Sequence, residues 1–132
     1  MIVLDASALV DLLLRTEGVG PLVEERVGSP GESLHCPHIV DAEALSAIRR
    51  KRLRGFLSDE RAGEAVADLR SLRLERYSLW PFLEGVWSFR ENLTPFDAAY
   101  LVLAEALGCP VVTTDPKLKS PSGMNVPIEL IE

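Results

Sequence analysis

The chain is short of cysteine, of long apolar runs and of basic charge, and each shortage closes off a class of protein. Cys36 and Cys109 are the only cysteines in 132 residues. Two thiols build no disulfide framework and suit a reducing compartment. The apolar runs are short and broken by charge, so none reads as a membrane span. The opening "MIVLDASALVDLLL" lacks the basic start of a signal peptide and is interrupted by Asp5 and Asp11. A cytoplasmic protein is the resulting expectation. Fourteen Lys and Arg face 20 Asp and Glu, a net charge of −6. That balance argues against a generic nucleic-acid binder, which carries a basic face. It leaves room for phosphate held through a metal, because metal sites gather carboxylates, and equally for a basic partner. With no internal repeat, low-complexity tract or linker, residues 1–132 read as one domain.

What is present is the composition of a globular protein, 47% apolar and 26% charged, with enough chain for a real core. Residues 2–5 read as a buried strand and 6–14 as a helix. A short helix within "GVGPLVEERVGSPG" ends at the turn cluster Gly28 to Gly31, and "SLHC" is a short strand before Pro37. Residues 39–54 are helical, with Ala44, Leu45 and Ile48 as the apolar face and Gly55 as the stop. Ser58 starts another helix whose stripe is Ala62, Ala65, Val66 and Leu69. A strand over 72–78, a helix over 79–92 and a helix over 95–107 closed by Gly108 follow. The strand 110–114 and a last strand in "PIELI" complete the chain. Strands alternating with helices predict βαβ units, an α/β fold with a central, mostly parallel sheet flanked by helices. Ligands of such sheets sit beyond the C-terminal strand ends, where the strand order reverses. Asp5 and Asp115 each stand at such an end, and on neighbouring strands they would share one crevice.

Each acid alone has a plain structural reading. Asp115-Pro116 reads as a helix N-cap followed by proline at the first helical position. "TPFD" (94–97) reads as a capping box, Asp5 as a cap for the helix beginning near Ala6, and Glu43 as a first-turn acid favoured by the helix dipole. Together they suggest chemistry. Carboxylates gathered in one crevice repel each other and raise their own pKa values unless a cation compensates. Mg²⁺ or Mn²⁺ is the natural counter-ion of an oxygen-only cluster, and such an ion activates water and clamps a phosphodiester. Ser7 and Thr113 supply hydroxyls to orient a carboxylate or a water.

The order of the acid-bearing segments resembles a known family. "VLDASALV" (3–10), "PHIVDAEALSAIRR" (37–50), "RENLTPFDAAYLVLAEALGCP" (90–110) and "VVTTDPKL" (111–118) make the chain similar, nearly end to end, to PIN-domain ribonucleases of the VapC toxin kind. The resemblance places Asp5, Glu43, Asp97 and Asp115 on the family's metal-binding acids and Thr113 on its hydroxyl. Asp41 is a rival to Glu43, but two helical residues point about 200° apart, and the resemblance favours Glu43. Where some relatives carry one further acid, Lys117 stands here, which leaves one ion or two open. The resemblance further implies cleavage of RNA by metal-activated water and a homodimer. It also implies a VapB-like antitoxin that inhibits the enzyme with a basic segment, in a heterotetramer or larger assembly.

Other features carry two readings each. "RRKRLR" (49–54) either holds RNA phosphates or is the solvated face of a helix, and Arg90 stands close in sequence to the Asp97 helix. "HCPH" (35–38) with Cys109 lacks paired zinc-ligand spacing and reads as buried cysteine and turn histidine. Trp80, Phe82, Trp87 and Phe89 at helical intervals read as core or interface rather than base-stacking platforms. Two rival functions remain. A phosphoacceptor signalling domain needs a carboxylate pair after the first strand, where Ala6 follows Asp5. A catalytically inactive PIN-fold binding module is at odds with four intact acids.

Overall fold

A computed structural model describes all 132 residues. The elements run β1 (Ile2–Leu4), α1 (Ala6–Leu14), α2 (Gly20–Val27), β2 (Leu34–Pro37), α3 (Ile39–Leu53), α4 (Asp59–Ser71) and β3 (Glu75–Tyr77). A 3-10 turn (Trp80–Phe82), α5 (Leu83–Ser88), α6 (Pro95–Leu107), β4 (Val111–Thr113) and β5 (Ile128–Leu130) follow. The five strands form one sheet in the order β3-β2-β1-β4-β5, and every pairing is parallel.

The central strands are apolar because helices cover both faces of a parallel sheet. Ile2, Val3, Leu4, Val111 and Val112 have no exposed surface, and burying each such side chain stabilises the fold by about 1.5–3 kcal/mol. The middle of α6 is buried from Ala98 to Ala104. Gly108 ends α6 in the left-handed conformation at φ 68°, which glycine adopts without a steric penalty. The strand order reverses between β1 and β4. Val3 pairs with Val111 and Leu4 with Val112, so Asp5 and Thr113 emerge side by side at the C-terminal edge.

Local details depart from the sequence reading. The strand in 72–78 spans only Glu75–Tyr77. The helix over 79–92 divides into a 3-10 turn and α5, because Pro81 has no N–H for a continuous ladder. No helix follows Asp115. Its Oδ1 accepts from the Lys117 N–H at 2.9 Å, a turn that side chains of this type favour. Leu45 and Val66 lie exposed beside their buried helical neighbours, at 44% and 41%. Glu43 falls in the second turn of α3, and Asp41 is its first-turn acid.

Candidate active site

The crevice is built on Asp5. Its Oδ1 accepts from the Ala8 N–H at 2.9 Å and caps α1. The same oxygen accepts from Ser7 Oγ at 2.7 Å, and Oδ2 accepts from Thr113 Oγ1 at 2.6 Å. Asp5 is 7% exposed. Burial raises its pKa, hydrogen bonds from Ala8, Thr113 and Ser7 pull it back, and Asp115 raises it again.

The Thr113-Thr114-Asp115 ending of β4 is the other half of this wiring. Fully buried Thr113 donates to Asp5 and accepts from the Asp115 N–H at 2.9 Å. Thr114 Oγ1 donates to Asp11 on α1 at 2.6 Å, and the Thr114 N–H donates to Ser7 at 3.2 Å. Ser7 and Thr113 stand 3.1 Å apart, and with both hydroxyl protons directed to Asp5 each hydroxyl fixes one carboxylate oxygen. Two hydroxyl residues before the aspartate therefore bind the end of β4 to the start of α1.

Three further acids surround this pair. Asp115 is half-buried and bears electrostatically on both Asp5 and Asp97. Asp97 sits in the first turn of α6, where its N–H donates to the Thr94 cap at 3.2 Å. Loss of solvation and then the Asp115 charge raise its pKa. The Thr94 half of the capping box is formed, while the Asp97 carboxylate makes no return bond among the side-chain hydrogen bonds. Glu43 accepts from Tyr100 Oη at 2.7 Å. Tyr100 is buried in α6, and burial first and Glu43 second push its phenol well above the usual range. Sequence reasoning missed this tyrosine. The available signal was a polar-tipped residue three positions after Asp97, one helical turn along the same face.

Asp41 is turned away and forms a bidentate pair with Arg76 on β3, at 2.7 and 2.9 Å. Arg90, close in sequence to the Asp97 helix, donates to the Trp87 carbonyl at 3.2 Å and lies over the Trp87 ring. His35 contacts Ser33 and Tyr77 through its two ring nitrogens. It lies in β2, His38 lies in the turn before α3, and Cys36 is buried with its thiol pushed up to about 12.

None of Asp5, Glu43, Asp97 and Asp115 joins a salt bridge, whereas Glu32, Asp41, Asp59, Glu64 and Glu129 all do. As placed, no three Asp, Glu, His or Cys side chains converge closely enough to hold one metal ion together. The acids surround the crevice rather than meeting at a point. A cleft of about 380 Å³ opens beside them between α1 and α3, lined by Ser7, Asp11, Glu43, Ser46 and Arg50 among others.

The PIN domain family matches residues 2–123. Ribonuclease VapC12 of Mycobacterium tuberculosis is 40% identical over 131 residues, covering 99% of each chain. The crystal structure of M. tuberculosis VapC20, a Sarcin-Ricin loop cleaving toxin, superposes with a TM-score of 0.72 at 15% identity. That match covers 95% of this chain and 97% of VapC20. VapBC2 from Rickettsia felis, solved bound to a DNA fragment from their promoter, superposes at 0.68 with 16% identity over all of both chains. These two structures share the fold, and the sequence match to VapC12 adds the family: the chain belongs to the PIN-domain ribonucleases of the VapC type.

Proposed function

We propose that the chain is a Mg²⁺- or Mn²⁺-dependent endoribonuclease and the toxin of a toxin–antitoxin pair. The observation that carries this reading is the set of four acids around the β1–β4 switch point, unpaired with any cation, two of them with raised pKa values. The donor set fits a hard divalent ion in its chemistry, being all oxygen and in need of positive charge. Asp5, Glu43, Asp97 and Asp115 would hold it. When bound, such an ion lowers the pKa of water and offsets charge on a phosphodiester. Ser7 and Thr113 fix both oxygens of Asp5, and Tyr100 fixes Glu43. Asp5 and Glu43 are thus oriented before substrate arrives, a condition for efficient catalysis.

The same charge supports the partner. A VapB-like antitoxin with a basic segment would neutralise the acids and block RNA in one step. The toxin acts in the cytoplasm as a homodimer, in a heterotetramer or larger with its antitoxin, and exposed Trp80 and Trp87 offer apolar surface for such contacts. A phosphoacceptor domain fits less well, since that class has the strand order 2-1-3-4-5 and this sheet runs 3-2-1-4-5. The inactive-module reading lacks a missing acid.

Asp97→Asn tests the proposal. The backbone N–H of residue 97 that bonds the Thr94 cap is untouched by the change, so the variant's thermal midpoint in chelator should not fall. Cleavage of a structured RNA in Mn²⁺ should fall at least about a hundredfold, on the scale of lost charge stabilisation at an active site. Wild-type cleavage undiminished by chelator removes the metal dependence, and wild-type rates from Asp97→Asn take Asp97 out of the site.

A further inference from the structure

The basic run 49–54 is not one surface. Arg52 is paired with Asp59 across the α3–α4 turn, whereas Arg49, Lys51 and Arg54 join no salt bridge and line none of the cavity beside the acids. Arg50 differs from all of these. It lines the cleft shared by Ser7 and Glu43, and its Nη1 donates to Ser46 Oγ at 3.2 Å on the same wall. Glu43, Ser46, Ala47 and Arg50 are spaced i, i+3, i+4, i+7 along α3. At 100° per residue Arg50 lies about 20° from Glu43 around the helix, and Arg49 about 120° from it. Seven residues of rise put Arg50 roughly 10 Å along the axis from Glu43. Its guanidinium has no carboxylate partner although Glu43 and Asp11 share its cleft.

An unneutralised arginine on the wall of a cleft leading to an acid-lined centre has one obvious ligand. A polyanion approaching four carboxylates is repelled unless fixed cations hold it on either side of the reacting bond. Guanidinium binds phosphate oxygens in a planar, often bidentate geometry. The guanidinium, held at Ser46, still stands about one helical turn along α3 from Glu43 and makes no salt bridge with it, so it suits a phosphate beside the one undergoing cleavage.

We propose that Arg50 is a substrate-positioning residue that holds an RNA phosphate flanking the scissile one, with Ser46 steering its guanidinium into the cleft. This rests on the ribonuclease reading. Arg50 acts on binding and register, while the acids act on the reacting bond.

The test compares Arg50→Ala, Arg50→Lys and Arg49→Ala in the full-length protein. Cleavage of a short single-stranded RNA is followed in Mn²⁺, and binding of the same RNA is followed by fluorescence anisotropy in EDTA across a salt series. Arg50→Ala should raise KM about tenfold, with kcat within about twofold. It should flatten the slope of log K against log salt by about 0.7, the value for one lost phosphate contact on a single strand. Arg50→Lys should recover most of KM, because the ammonium still serves as a point charge, and Arg49→Ala should match wild type. Both positions are exposed, and thermal midpoints confirm folding. An unchanged KM and salt slope in Arg50→Ala, beside an active wild type, overturn the proposal. An equal effect from Arg49→Ala overturns it too, showing diffuse attraction. RNA binding unaltered while a co-purified protein partner is lost would make Arg50 a protein contact instead. A wild-type chain that neither binds nor cuts RNA refutes the ribonuclease reading itself.

Discussion

The two ends of the sheet treat acidic residues in opposite ways. At the end from which the strands start, Glu32 pairs with both the Met1 ammonium and Arg26. Arg26 reaches on to Glu129 of β5 at 2.7 Å. Met1, Arg26, Glu32 and Glu129 each have an opposite partner there, and Arg26 first and the amino terminus second lower the Glu32 pKa. At the other end Asp5 is more deeply buried and has hydroxyls but no cation, and the pKa values of Asp5 and Asp97 are raised. One end uses carboxylates to hold α2, β5 and the amino terminus together. The other keeps carboxylates in an unfavourable electrostatic state while fixing their orientation, as expected where stability is given up for function.

The sharpest way to break this comparison is to remove its central residue. Asp5→Ala leaves the buried Thr113 hydroxyl and the Ala8 N–H without their acceptor and strips the cap from α1. The cost should be about 2–4 kcal/mol, summing a lost cap and unmet buried donors, read by urea denaturation in chelator. Activity should vanish as well. A stability loss below about 1 kcal/mol would show that the network is not rigidly built on Asp5.

Arg26→Ala is the matched change at the opposite end. Glu32 and Glu129 lose their shared cation, and these pairs are only partly buried. A loss of about 1–2 kcal/mol is expected, between the values for exposed and for charge-assisted interactions. The RNA cleavage rate per folded molecule should stay unchanged. A drop in that rate would mean that the two ends are coupled.

The sequence made one end legible and left the other dark. The acids and hydroxyls beyond β1 and β4 were readable because apolar strands stop at them, and strand ends are where parallel sheets place ligands. Helical geometry allowed only one of Asp41 and Glu43 to face the site, the resemblance favoured Glu43, and Arg76 shows where Asp41 went. The opposite ion-pair network was invisible, since Arg26 and Glu129 meet across 103 residues of chain and no local pattern specifies such a partner. The same holds for Tyr100 and Glu43, 57 residues apart. The Asp115 cap failed for a local reason. Pro116 permits a helix, but Pro121 and Gly123 follow too soon, and a turn suffices to satisfy the chain.

The two ends should also titrate in opposite senses. Asp5 and Asp97 hold their protons more tightly in the folded protein than in the unfolded chain. Their ionisation therefore costs stability, and the metal-free fold should gain stability as pH falls through their raised values towards the unfolded value of 3.8. Glu32 behaves in reverse. Its contribution is present above the unfolded value of 4.5 and is lost as pH falls through its lowered folded value. Thermal midpoints in chelator should therefore rise on mild acidification and then fall. Asp97→Asn should flatten the rise and Arg26→Ala the fall. Saturating Mn²⁺ should abolish the rise if the ion holds these carboxylates ionised.

The smallest effect separates positioning from folding. Tyr100→Phe removes one hydroxyl that donates to Glu43 and leaves the buried ring in place. Glu43 is half-buried, so water can replace the lost donor, and the stability cost should be about 0.5–1.5 kcal/mol. Orientation is affected more than stability. With its restraint gone, Glu43 samples other rotamers, and cleavage should fall several-fold while the RNA affinity measured in EDTA stays constant. A double-mutant cycle with Glu43→Gln isolates this coupling. If Tyr100 acts only through Glu43, then Tyr100→Phe should cost much less in a Glu43→Gln background than in wild type. Equal losses in both backgrounds would mean that the phenol serves the core of α6 alone, and that Glu43 is oriented by something other than Tyr100.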